Sequence, residues 1–430
     1  MRFTSRLLLL ITVTVAATGA AFGSGFMIPE QGAKASSMAG AFAATADDAS
    51  AMFFNVAGIA QLRQAQMTGG ADFITFDNQF TGDPNDEFSA GTTGVYKRHL
   101  FVVPNGYAVL PIGENLTFGV GLFSAFGLRT NWDDPWIGRF SSRDANLKTV
   151  SLQPSLAWRS SNERVMLGAG LEYRRLKITL DSNIPLSGSG VNPFTGRIVD
   201  IANAHLTSEW GAALGFTAGG LFQVSENIRI GVSYRAPMEV GLDGMADFTQ
   251  ISTGNPQLDA LVASQLPPDQ PISVDFPFPG IATIGISCTA LQNWTFGLDV
   301  NQTTWSEFDT LFVDFETTPA ASLVRPQNWK DTITYRLGAN HRVSETWDVR
   351  FGLLLDENPQ RVESVTPLLP DADRTGVTFG VGYRRGPWTL DAGLMYLALA
   401  DRSTEGRSAE LNGTYETNAT LWFTNFGMKF

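Results

Sequence analysis

The side chains able to do covalent or metal chemistry are few and scattered. The chain of 430 residues carries three histidines, His99, His205 and His341, and one cysteine, Cys288. A serine hydrolase needs a serine activated by a neighbouring base, and no Gly-x-Ser-x-Gly elbow accompanies these histidines. A single cysteine leaves no intrachain disulfide framework and no thiolate zinc site. There is no Gly-Lys dipeptide, hence no phosphate-binding P-loop. No catalytic residue, metal ligand or cofactor site is expected. Acidic groups remain. Asp47-Asp48-Ala49, next to the helix-compatible stretch Ser36 to Ala46, is a candidate cap. Asp83-Pro84-Asn85-Asp86-Glu87 and Asp133-Asp134 read as solvated loops. With 30 basic against 42 acidic residues, net -12, the chain is a poor partner for nucleic acid, which needs clustered Lys and Arg.

The elements point elsewhere than catalysis. Arg2 and Arg6 precede the apolar run Leu7 to Ala17 and then small residues, the pattern of a secretory signal peptide ending at residue 23. From about residue 66 the hydrophobic period is two. Leu116, Phe118, Val120 and Leu122 alternate with Thr117, Gly119 and Gly121; Trp347, Val349, Phe351 and Leu353 oppose Asp348, Arg350 and Gly352. Such strands have one apolar face and one of Gly and charge. In an exported chain with aromatic residues at the strand ends, the apolar face belongs against lipid. An open sheet cannot span hydrocarbon, because its edge amides would be unpaired, so the sheet must close.

Turn signals count the strands. Tight polar connections recur at 111–115, 160–163, 224–227, 290–293, 343–346 and 385–387. Longer links lie between them, near 78–96, 131–146, 183–204, 244–271, 304–328, 359–374 and 401–415. Short periplasmic turns alternating with long extracellular loops give an all-β, transmembrane antiparallel β-barrel of about 14 strands over residues 61–430. The final strand ends in Phe430, resembling the signal by which barrel assembly machinery recognises its clients. Residues 24–60 break the alternation. They are too short to fold alone and too apolar (Phe26, Met27, Ile28, Phe42, Met52, Phe53) to hang in water. A barrel of this size has room for them, so they are expected to plug the lumen.

Against that frame, several motifs in order resemble the FadL/TodX family of outer-membrane transporters for long-chain fatty acids and other hydrophobic compounds. Ser24-Gly25-Phe26 resembles the mature start. Ala46-Asp47-Asp48-Ala49 and Asn55-Val56-Ala57 resemble the hatch motif, with Val56 where the family has Pro, which implies a looser hatch turn. Val103-Pro104-Asn105 resembles a second-strand motif. Ser124-Ala125-Phe126-Gly127-Leu128 resembles a third-strand kink, followed by Asn131-Trp132-Asp133-Asp134; Leu369-Pro370-Asp371-Ala372-Asp373-Arg374 resembles a late-loop motif. The resemblance implies gating by Phe26, Asp47, Asp48, Asn55, Val56 and Ala57. It also implies lateral exit past Phe101, Ser124, Ala125, Phe126 and Gly127. The expected function is passive transport of long-chain fatty acids or similar molecules across the bacterial outer membrane by a monomer, among outer-membrane lipid and lipopolysaccharide. A general diffusion porin is the alternative, ahead of an outer-membrane hydrolase or an adhesin.

Overall fold

The computed structural model describes residues 25–186, 198–319, 322–408 and 410–430. The expected targeting segment, residues 1–23, and Ser24 lie outside them. Alternation along the chain becomes fourteen long strands: β1 Gln66–Gly82, β2 Leu100–Ile112, β3 in two pieces, Leu116–Phe123 and Gly127–Asn131, β4 Asp144–Arg159, β5 Val165–Pro185, β6 Gly211–Ser225 and β7 Ile228–Arg235. There follow β8 Ile281–Cys288, β9 Trp294–Thr303, β10 Thr332–Arg342, β11 Trp347–Asp356, β12 Arg374–Arg385, β13 Trp388–Leu399 and β14 Gly413–Lys429. Each pairs antiparallel with the next, and β14 returns to β1 from Gln66 opposite Lys429 to Gly82 opposite Gly413. Phe430 N donates to Ala65 O at 2.8 Å. The wall is therefore a closed barrel.

The two strand faces partition as a lipid-embedded barrel requires. Outward side chains are apolar and uncovered: Leu122, Leu171, Leu214, Phe216, Leu337 and Val377, with Trp158, Trp347 and Trp388 near the short-turn end. Inward positions carry buried Gln153, Glu172, Arg174, Asp299, Arg336 and Arg350. The long links differ from plain loops. β5 runs on to Pro185 and pairs with Asp200–Ser208, which pairs in turn with Met238–Gln250 and so with Gln270–Phe278. The alternating pattern continues beyond the membrane there, so the links expected at 183–204 and 244–271 carry strand at 183–185, 200–204, 244–250 and 270–271 instead of being plain loop throughout. A helix, Pro256–Gln265, joins the last two segments; Asn255 Oδ1 caps it, accepting from Gln257 N at 3.0 Å and Leu258 N at 3.3 Å.

Residues 25–62 lie within the wall, mostly buried. They form short helices, α1 Ala33–Ser36 and α2 Ala51–Phe54, and a 3-10 helix, Val56–Gln61. Asp48 does not cap α2. The N-cap is Ser50, whose N–H and hydroxyl both donate to Asp48 Oδ1. The carboxylate thus closes a local turn just before the helix, where a short Asp side chain competes with capping.

Candidate functional site

The main chain of residues 33–60 rests directly on the barrel because the wall beneath it is glycine. Inward glycines stand opposite one another across neighbouring strands: Gly168 and Gly219, Gly231 and Gly285, Gly297 and Gly338, Gly338 and Gly352, Gly380 and Gly393. A Cβ on Gly231 would lie 2.1 Å from Ala43 O, and one on Gly352 2.5 Å from Ala39 N. Wall side chains then satisfy the segment's backbone, as a buried amide demands. Asp299 Oδ2 accepts from Phe42 N and Ala43 N at 2.8 Å each. Gln153 Nε2 donates to Met52 O at 2.8 Å, and Arg336 Nη1 to Ala39 O at 2.8 Å. Asn55 Nδ2 donates to Ala43 O and to Gly220 O, while its Oδ1 accepts from Ala57 N at 3.1 Å. Val56 opens the 3-10 helix behind that cap. Lys34 Nζ reaches Asp47 Oδ1 at 2.7 Å. Burial works to raise the Asp47 pKa, but the Lys34 charge and hydrogen bond hold it below the usual range. Burial pushes Asp48 and Glu30 up.

Residues 25–28 are held differently. Phe26 is enclosed by Trp305, Phe308, Phe276, Phe126, Trp329 and Phe278, with ring centroids 4.9 to 6.1 Å away. Gly25 has φ +60°, and a Cβ there would meet the Trp329 and Trp305 rings at 2.7 and 2.8 Å, so only glycine fits. Its N–H donates to Asp371 Oδ2 at 2.8 Å and its carbonyl accepts from Arg374 Nη2 at 2.8 Å. Burial raises the Asp371 carboxyl above its ordinary range, against the pull of Arg374. The late-loop motif thus meets Gly25, 346 residues away in sequence.

The third strand is broken where those residues arrive. β3 pairs with β2 from Ile112–Leu116 up to Gly106–Leu122 and no further. Beyond the break, Gly127–Asn131 pairs with β4 alone. Leu100–Asn105 of β2 pairs with β1 alone. The ladder resumes above as the single bridge between Tyr96 and Trp132. A window in the wall lies between. Its β3 rim is held off the ladder by specific bonds: Ser124 Oγ donates to Thr149 O at 2.7 Å, and the Phe126 and Thr149 groups exchange two more. Ile28 N donates to Ala125 O at 2.8 Å and Gly127 N to Phe26 O at 3.0 Å, so the freed inner edge is taken by residues 26–28.

A cavity of about 410 Å³ runs through this window. Inside it is lined by Phe26, Ile28, Ile74, Phe126, Leu147 and Leu421, and on the lipid side by Val102, Val150, Lys148 and Trp210. Beside it, Glu172 accepts from Arg174 Nη2 at 2.7 Å and also binds Arg235. The Arg174 guanidinium lies 4.5 Å from the Phe126 ring and 4.6 Å from that of Phe278. The cavity's size suits a small apolar ligand.

Of the residues singled out in the sequence, Phe26, Phe101, Ser124, Phe126 and Gly127 meet at this cavity, and Ala125 lies on the same rim. Asp47, Asp48, Asn55, Val56 and Ala57 stand apart, on the glycine-seated segment. Sequence reasoning missed the cage residues Phe276, Phe278, Trp305, Phe308 and Trp329. They come from strand extensions and connections, and only their aromatic density marked them. It also missed the glycine seat, whose signal was glycine recurring on inward positions.

A closed fourteen-stranded barrel with an apolar outer band defines an outer-membrane β-barrel protein. The family model described as outer membrane protein transport protein (OMPP1/FadL/TodX) matches residues 14–430, and the chain belongs to that family. It is 26% identical to a long-chain fatty acid transport protein of Salmonella typhi, over 90% of this chain and 89% of that one. Its fold matches the crystal structure of a Pseudomonas aeruginosa FadL homologue with TM-score 0.81 at 21% identity, covering 95% of this chain and all of that one. It also matches the Pseudomonas putida toluene transporter TodX with TM-score 0.68 at 16% identity, over 95% and 96%. The protein is an outer-membrane transport protein.

Proposed function

We propose that this protein carries long-chain fatty acids or chemically similar hydrophobic molecules passively across the outer membrane. Substrate caught by the extracellular loops enters the apolar cavity and leaves sideways into the bilayer through the window between Phe123 and Gly127. One observation carries the reading: the cavity is lined by lumen residues and by lipid-facing residues of the same wall. The energetics require no fuel. Burying a CH₂ gains about 0.8 kcal/mol, so a chain of roughly fifteen gains on the order of 12 kcal/mol on leaving water. A lateral route keeps the chain in apolar surroundings, whereas exit to the periplasm would return it to water. Gating falls to residues 25–28, which occupy the inner edge of the window and anchor Phe26 in its cage. Substrate that displaces Phe26 would free that edge. The names of the relatives support both fatty acids and toluene-like compounds as cargo.

The test is uptake into proteoliposomes. Wild-type protein should pass a labelled long-chain fatty acid and exclude a small sugar; sugar flux would mark a general diffusion porin. Ser124→Arg should abolish fatty-acid uptake, because the side chain fills the window, and placing its charge toward lipid is costly. Heat-modifiable migration in detergent gels checks that the variant barrel is folded. A folded Ser124→Arg barrel transporting at the normal rate would sink the lateral route and shift attention to Asn55, Val56 and Ala57.

A further inference from the structure

The outer wall beside the window carries an unpaired cluster of positive charge. Lys148 on β4 stands directly opposite Lys177 on β5. Arg175 follows on the same outward face, opposite Val150, and its guanidinium lies 5.3 Å from the Trp210 ring. Like charges directly opposite across a ladder repel and cost stability unless something between them is negative. Among the described residues none of the three makes an ion pair. The nearby carboxylates are already engaged: Asp144 with Arg129 at 2.6 Å and Asp181 with His205 at 2.9 Å.

The height of the cluster is informative. Descending the outward row of β4 and β5, the opposed pairs are Asp144–Asp181, Asn146–Thr179, Lys148–Lys177, Val150–Arg175 and Leu152–Tyr173. The cations sit where the polar rim meets the apolar band. That rim lies on the long-loop, extracellular side, the depth of outer-leaflet headgroups. The charge is also local. The outward faces of Met238–Gln250 and Gln270–Phe278 carry exposed Glu239, Asp243 and Asp275 instead. A chain of net -12 has thus gathered cations on one side of its outer wall.

We infer that Lys148, Lys177 and Arg175 bind a phosphate of an outer-leaflet lipid headgroup, the lipid A phosphate of lipopolysaccharide in an outer membrane, at the mouth of the lateral window. Three cations on two adjacent outward rungs match a multiply charged phosphate better than a single carboxylate. The long side chains lay their methylenes along the apolar wall and present their heads to the headgroup layer. Lys148 itself lines the cavity, so the bound lipid borders the opening and defines where the apolar path meets the membrane. The location rests on the window described above; binding does not depend on what the protein transports.

The experiment is native mass spectrometry of the purified barrel in detergent, titrated with bisphosphorylated lipid A, with lipid A stripped of phosphate, and with a long-chain fatty acid. Wild type should prefer the phosphorylated lipid. Lys148→Glu/Lys177→Glu should weaken that binding at least about tenfold and leave the stripped lipid unaffected. Arg164→Glu, in a short turn at the opposite end, should change nothing. Heat-modifiable migration checks folding, and Lys148→Gln/Lys177→Gln replaces the double reversal if that fails to fold. Equal binding of both lipids by wild type, or unchanged binding by the double variant, overturns the inference. So does a variant that loses the fatty acid but keeps lipid A, since the cluster would then be a substrate site. Proteoliposome uptake by the same preparations is read separately: wild type that binds phosphorylated lipid without transporting fatty acid sinks the proposed function and leaves the lipid site standing.

Discussion

Residues 33–60 rest main chain against main chain on inward glycines, whereas residues 25–28 are held by aromatic rings and a few hydrogen bonds at the edge of a broken strand. Both lie in one lumen. The first contact has no slack: where a Cβ would lie 2.1 Å from a carbonyl oxygen, nothing can rotate aside. The second is large in area but made of side chains, which can repack around a ligand that offers similar apolar surface. The difference teaches where motion can be cheap. A gate is expected from the region whose contacts a hydrophobic substrate can replace, and a fixed plug from the region whose contacts it cannot.

The sharpest way to break this comparison is Phe26→Ala. Emptying a fully enclosed aromatic site costs about 3–5 kcal/mol. If residues 25–28 open independently of the rest, the loss appears locally as a rise of about a hundredfold or more in exchange of the Phe26 to Ile28 amides, with the melting temperature of the barrel unchanged. A matching rise throughout residues 33–60 would show that the two regions move as one. Gly231→Val attacks the other side. Overpacking of this kind costs about 3 kcal/mol, and here it falls on the seat of Ala43. Planar-bilayer conductance should rise toward that of a barrel lacking residues 25–60, while heat-modifiable migration still reports a folded wall. Unchanged conductance would mean that the seat does not hold the plug.

Two smaller effects sharpen the picture. Val56 is the first residue of its 3-10 helix, and Asn55 before it has φ -157° and ψ 103°. Proline fits a first helical position after an extended residue. Val56→Pro should therefore stabilise the seated segment by about 0.4–1 kcal/mol, read as slower exchange at Gly58. Destabilisation would show that the Val56 side chain or N–H matters more than the turn. The smallest effect concerns the late loop that holds Gly25. Burial raises the Asp373 carboxyl to about 6, against its bond from Asn358 N and the charges of Lys330 and Arg402. A carboxyl with a raised folded pKa contributes stability that is fully present below its unfolded value near 4 and is lost as pH rises through about 6. Asp373→Asn should match wild type in melting temperature near pH 4 and exceed it slightly at pH 8. Wild type the more stable at pH 8 would reverse the sign and refute the assignment.

Much of this molecule was legible before any coordinates. Period-two alternation located the strands, and the six tight turns counted them, because both signals are local: a strand's faces are set by its own residues and a turn by its own Gly, Asn and Ser. Ser124 to Gly127 was marked as a break only through the resemblance to a third-strand kink, which small Ser124 and Gly127 suit. The long links at 183–204 and 244–271 were harder. Their strands pair with each other above the membrane, and no short window of sequence records a partner.

What the chain by itself determined is therefore the barrel: strand number, which faces meet lipid, and an N-terminal segment that stands outside the alternation. The tertiary structure alone decided that Phe26 sits among rings from four separate stretches of chain. It alone set Gly25 against Asp371, 346 residues away, put Gly352 under Ala39 and Gly231 under Ala43, and stood Lys148 opposite Lys177. Alternation, turns and caps arise from interactions between near neighbours, so the sequence displays them directly. A cage, a seat or a charge cluster is a coincidence of distant residues in space, and only the closing of the barrel brings it about.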